Sequence, residues 1–87
     1  MPDSLPPIVM YARTRFCPDV ARSRGHLTEL ELPWEEYDIE ADERAAQKVQ
    51  DLTGRRSVPT IVIGDSILVE PSNGELDAAL TKAGYVL

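Results

Sequence analysis

The chain has 87 residues, a formal net charge of −6 and 43% apolar residues, enough for one packed domain and too little for two independent folds. Its acidity argues against a nucleic-acid partner, because phosphate binding needs a net basic footprint. No apolar run is long enough to span a bilayer, and residues 1–7 lack the basic and apolar segments of a secretion signal, so a cytoplasmic domain with no membrane partner is expected.

Residues 1–6 carry no element signal and are expected to be flexible. From Pro7 to Ala12 the chain reads as a strand, and the continuous apolar run Ile8-Val9-Met10-Tyr11 suits a central position buried on both faces. A basic turn with Arg13 and Arg15 follows, and then a helix opens with Cys17-Pro18-Asp19. Proline at the first helical position lacks an amide that would be orphaned anyway, so Cys17 falls at the N-cap, where unpaired amides and the helix dipole favour negative charge. Thiolate is the reactive form of cysteine. Arg13, Arg15, Arg22 and Arg24 bracket this thiol and favour the thiolate, while Asp19 opposes it. For Arg22 and Arg24 a solvated helix face pointing away is an equal alternative. Cys17 is the sole cysteine, which excludes an internal disulfide and fits a reducing compartment.

The first helix carries Val20, Leu27 and Leu30 on one side and stops before Pro33. Its His26 lies more than two turns from Cys17 and reads as a surface histidine. Trp34 to Ile39 alternates as a strand with one more polar face, in which Trp34 and Tyr37 suit core and sheet-surface roles. Tyr11 suits packing better than ligand contact. Ala41 to Leu52 is helical, with Ala45, Val49 and Leu52 at helical spacing, Asp42 as a cap and Gly54 as the stop. After Arg55-Arg56-Ser57 come Val58-Pro59 and then two apolar runs, Thr60–Ile63 and Ser66–Val69, around the tight turn Gly64-Asp65: an antiparallel hairpin. Ser72 and Glu75 form a capping-box pattern ahead of Leu76, Ala79, Leu80 and Ala83, and Gly84 ends that helix. The order β-α-β-α-β-β-α predicts a single α/β domain over residues 1–87, with a four-stranded mixed sheet and helices on both faces.

That order is the order of the thioredoxin-like fold, and the motifs resemble those of its glutaredoxin family. Cys17-Pro18-Asp19-Val20 is similar to the family's Cys-Pro-x-Cys, and Ser57-Val58-Pro59-Thr60 to its Thr-Val-Pro-Thr. Leu32–Glu40 looks like the second strand and acidic turn, and Asp51-Leu52-Thr53-Gly54 like the end of the second helix. Val69-Glu70-Pro71-Ser72 is similar to the mycoredoxin branch, which uses mycothiol in place of glutathione. The resemblance covers roughly residues 7 to 84.

It implies a thiol–disulfide oxidoreductase of redox homeostasis in which Cys17 attacks a mixed disulfide between a client protein and a small thiol, and a second small thiol releases it. Glutathione or mycothiol is the implied co-substrate, with no tightly bound cofactor and no metal. The resemblance further implies a cis Pro59 that turns the Val58 backbone towards the sulfur. It gives the place of the family's lysine to Arg13 or Arg15, of which Arg15 is nearer the thiol, and has Ser72 and Asn73 hold a carboxylate of the ligand at a helix start. A monomer acting on thiolated or disulfide-containing client proteins is expected. Val20 stands where the second cysteine would be, which leaves a monothiol cycle only. Val69-Glu70 replaces the usual Gly-Gly pair, crowding the ligand path and placing a charge that would repel an anionic thiol. Iron–sulfur bridging members carry Cys-Gly-Phe-Ser, and Pro18 and Asp19 lack its room and flexibility. The competing expectation is a non-catalytic redox-sensing or binding module on the same fold.

Overall fold

A computed structural model describes residues 5–87. The elements follow the expected order: β1 (Ile8–Ala12), α1 (Pro18–Glu29), β2 (Glu35–Asp38), α2 (Glu43–Thr53), β3 (Thr60–Ile63), β4 (Ser66–Val69) and α3 (Asn73–Ala83). They form one mixed sheet of order β2-β1-β3-β4. β1 pairs parallel with β2, from Val9 opposite Glu35 to Ala12 opposite Asp38, and antiparallel with β3. The β3–β4 hairpin turns at Gly64, whose φ of +59° suits a residue without Cβ.

The apolar run of β1 is explained by its central place, since period-2 alternation sends its side chains to two cores. Ile8, Met10 and Ala12 join Val20 and Leu27 of α1 and Leu76 and Leu80 of α3 on one face. Val9 and Tyr11 meet Ala45 and Val49 of α2 on the other. Burying each large aliphatic side chain stabilises by roughly 1.5–3 kcal/mol, so these two layers hold the sheet without covalent help.

β2 is shorter than the strand expected from Trp34 to Ile39, because only Glu35–Asp38 have ladder partners on β1. α2 begins at Glu43 because Asp42 caps it, its carboxylate accepting from the Arg44 and Ala45 amides, and it ends at Gly54 with φ +82°. α3 carries the capping box of Ser72 and Glu75. His26 is not a free surface residue: its Nε2 lies 2.6 Å from Asp77 Oδ1, joining α1 to α3. Residues 1–4, within the segment expected to be flexible, lie outside the described residues. At the described end the Tyr85 hydroxyl donates to the Pro6 carbonyl at 2.6 Å. Among the described residues no helix is long and apolar enough to cross a membrane.

Candidate active site

Cys17 is the N-cap of α1. Its backbone is extended, with φ −144° and ψ 118°, Pro18 follows at the first helical position, and the side chain makes no capping hydrogen bond. The Cys17 carbonyl accepts the first helical bond from Ala21 at 2.9 Å. The backbone of Cys17 thus completes the helix while its sulfur is left unused by the cap. The residue is 8% exposed and packs at the edge of the core shared by α1 and α3, with Val58 on the margin of the same cluster.

The Val58–Pro59 peptide bond is cis. Pro59 is fully buried, and its carbonyl accepts from the Glu70 amide at 2.8 Å, which ties the entry of β3 to the segment that leaves β4. Glu70 occupies the left-handed region at φ +49°, a conformation that favours glycine. Buried Pro71 follows, and its carbonyl accepts from Arg22 Nη2 at 3.3 Å. The other arm of Arg22 pairs with Asp19 at 3.0 Å. Pro71 therefore lies within reach of Arg22 on α1, and the acid two positions beyond the thiol has its counter-charge.

Arg24 reaches across to β2. Its guanidinium binds both oxygens of the Glu36 carboxylate, and this hydrogen bond, with a further contribution from the charge of Cys17, raises its pKa. Arg24 is thus committed to Glu36 of β2, a placement that a helix wheel alone left open. Glu36 is held below the ordinary carboxylate range chiefly by Arg24.

The turn before Cys17 is braced along its length. Arg13 Nη2 donates to the Phe16 carbonyl at 3.3 Å. The Thr14 amide donates to Asp38 Oδ2 at 3.1 Å, and its hydroxyl donates to the same oxygen. Arg15 makes a two-point pair with Glu40, at 3.0 and 2.5 Å. Asp38 lies well below its ordinary range because the Thr14 hydroxyl and backbone amides stabilise its charge. Glu40 is lowered by Arg15. The Arg15 guanidinium thus points to Glu40, while Arg13 Nε is buried without a partner among the described residues.

At the start of α3, Ser72 Oγ accepts from the Glu75 amide at 3.1 Å and the Ser72 amide donates to Glu75 Oε1 at 2.8 Å. The Ser72 amide is thus already engaged by a carboxylate of the chain itself, and its hydroxyl oxygen by the Glu75 amide. The Asn73 amide stands in the same first turn. Tyr11 stacks on Tyr37 with centroids 5.7 Å apart, on the α2 face of the sheet, away from the Cys17 core.

The structure puts Cys17 and Val58 in one cluster, ties Pro59 to Glu70, and ties Pro71 to Arg22 of α1. Sequence reasoning missed Thr14–Asp38, Arg24–Glu36 and the double contact of Arg22. One signal was available for the first: in a parallel pair the carboxyl ends of β1 and β2 lie side by side, so Asp38 opposite Ala12 borders the turn that follows β1.

The Glutaredoxin family model matches residues 8–68. A curated Mycobacterium tuberculosis H37Rv protein with a provisional glutaredoxin name is 37% identical over 71 residues, spanning 79% of this chain and 84% of the relative. The Archaeoglobus fulgidus glutaredoxin structure superposes with a TM-score of 0.76 at 22% identity, over 90% of this chain and 89% of that one. A buckwheat glutaredoxin solved with glutathione superposes with a TM-score of 0.69 at 20% identity, over 94% and 83%.

Proposed function

The chain belongs to the glutaredoxin family, and from this premise we propose that it reduces protein mixed disulfides by a monothiol cycle centred on Cys17. The family and its fold support a thiol–disulfide oxidoreductase role in general terms. One observation carries the finer reading: Cys17 caps α1 with its backbone alone, leaving an uncommitted sulfur at the helix start, where Asp19 is paired with Arg22.

In the first step the Cys17 thiolate attacks the small-thiol sulfur of the mixed disulfide. A Cys17–small-thiol disulfide forms, the protein–sulfur bond breaks, and the client leaves as a thiolate that takes up a proton. A second small thiol loses its proton, attacks the adduct and leaves as the symmetric disulfide, restoring Cys17. The net reaction converts one client mixed disulfide and one free small thiol into one client thiol and one symmetric small-thiol disulfide. Val20 offers no sulfur for an internal disulfide, so the cycle closes only through the second small thiol.

The small thiol is glutathione or mycothiol, and small-thiol binding on this fold has a precedent in the buckwheat complex with glutathione. Val58 and Pro59 would offer backbone to the ligand, with Asn73 at the open end of α3. Arg15 would reach a ligand carboxylate only by releasing Glu40. Glu70, together with a Ser72 already capped by Glu75, disfavours a ligand rich in carboxylates. The protein acts as a cytoplasmic monomer on thiolated clients.

The low exposure of Cys17 favours, as a second reading, a module that becomes thiolated without turnover. Hydroxyethyl disulfide turnover with glutathione and with mycothiol separates the two. Turnover with at least one thiol, abolished in Cys17→Ser, is expected; a folded protein inactive with both contradicts the enzymatic reading.

A further inference from the structure

A single exposed apolar side chain on a protein surface means little. Phe16 is different in its position and in the way it is held. It is 79% exposed, and it immediately precedes the nucleophile, with Cα atoms about 3.8 Å apart. Any chain whose sulfur approaches Cys17 must bring its neighbouring side chains close to this ring.

The ring is also presented by a rigid turn. Arg13 folds back to the Phe16 carbonyl, Thr14 is bound twice to Asp38, and Arg15 is bound twice to Glu40. Arg13, Thr14 and Arg15 each make a hydrogen bond to the protein, and Phe16 is the one apolar side chain of the turn that projects into solvent. A loop fixed before binding loses little freedom on binding, and an aromatic anchor with two torsions adds little more. The adjacent Arg15 is paired with Glu40 and Arg13 is turned to the Phe16 carbonyl, which leaves Phe16 as the apolar group next to the sulfur.

We infer that Phe16 is a client-docking residue, which selects substrate chains carrying an apolar side chain next to the cysteine to be exchanged. The inference rests on the redox reading of Cys17 and adds the class of client to it. Small disulfides, which have no flanking side chain, do not reach the ring.

The test uses one exchange and no turnover. Two peptides are made that differ only in Leu or Ser directly after a cysteine carrying a 2-thiopyridyl disulfide. Cys17 attacks the peptide sulfur, a Cys17–peptide disulfide forms, and pyridine-2-thione leaves and is followed by its absorbance. The wild type is expected to react about fivefold faster with the Leu peptide. In Phe16→Ser the two rates should become equal, and Phe16→Tyr should keep the preference, which separates ring contact from a general change in the turn. Equal rates in the wild type, or a preference that survives in Phe16→Ser, would overturn the docking role and leave the chemistry of Cys17 standing. Failure of the wild type to react with either peptide would overturn both.

Discussion

Arg22 pairs with Asp19 at 3.0 Å inside the first turn of α1, so the carboxylate closest in sequence to the Cys17 thiol does not act as a bare charge. Arg22→Ala should leave that charge uncompensated and slow iodoacetamide alkylation of Cys17 at neutral pH by about twofold to fivefold, as fits a partly exposed pair worth roughly 0.2–1 kcal/mol. Adding Asp19→Asn should restore the rate. An unchanged rate in Arg22→Ala would show that Asp19 does not act on the sulfur.

Glu70 combines a left-handed backbone with a carboxylate in the segment that contacts Pro59 and α1. Glu70→Gly should raise stability by about 0.5–1 kcal/mol through relief of the positive φ. It should also lower the KM for glutathione roughly twofold to fivefold, by removing a like charge from the ligand path. Glu31, also left-handed at φ +58° but between α1 and β2, supplies the control: Glu31→Gly should gain stability without altering thiol use. A KM unmoved by Glu70→Gly would exclude a selective role for this side chain.

His26 and Asp77 fasten α1 to α3 at 2.6 Å. A double-mutant cycle of His26→Ala and Asp77→Ala should give a coupling energy of about 0.5–1 kcal/mol by denaturant unfolding. Additive effects of the two changes would mean that the contact contributes nothing.

Acidification should loosen the turn that precedes the nucleophile. Asp38, Glu40 and Glu36 are all depressed in the folded state, so their contribution is present above the unfolded carboxylate range of about 4 and is lost as pH falls through the lower folded values. Thermal stability should hold between about pH 7 and 5 and fall as the pH drops below about 4, with a smaller acid-induced fall in Asp38→Asn. Equal falls in variant and wild type would remove Asp38 from this account.

The element order was legible because each segment has its own punctuation: Pro18 at a helix start, Asp42 and Gly54 at two helix ends, Gly64-Asp65 between apolar runs, and Ser72 with Glu75. The apolar run of β1 revealed a central strand. The thiol and the Val58–Pro59 joint were legible as motifs. What was hidden is what long side chains do across the sheet. Arg15, expected beside the ligand, pairs with Glu40; Arg22 and Arg24, left undecided by helix periodicity, turn to Pro71 and Glu36. His26 is distant from Cys17 along the helix, and the same rotation that takes it away brings it to Asp77. Flexible charged side chains choose partners by tertiary proximity, which periodicity does not encode. Ser23 is fully buried with its hydroxyl unpartnered among the described residues, and nothing in the structure explains that choice.

The central claim is that Cys17 takes up one small thiol and gives it up to a second. Intact-mass analysis after exposure to oxidised glutathione and, separately, oxidised mycothiol tests it most directly. The account predicts a single adduct with at least one of them, absent in Cys17→Ser and removed by the matching reduced thiol. A folded protein whose mass is unchanged by both, or whose adduct resists the reduced thiol, would contradict it.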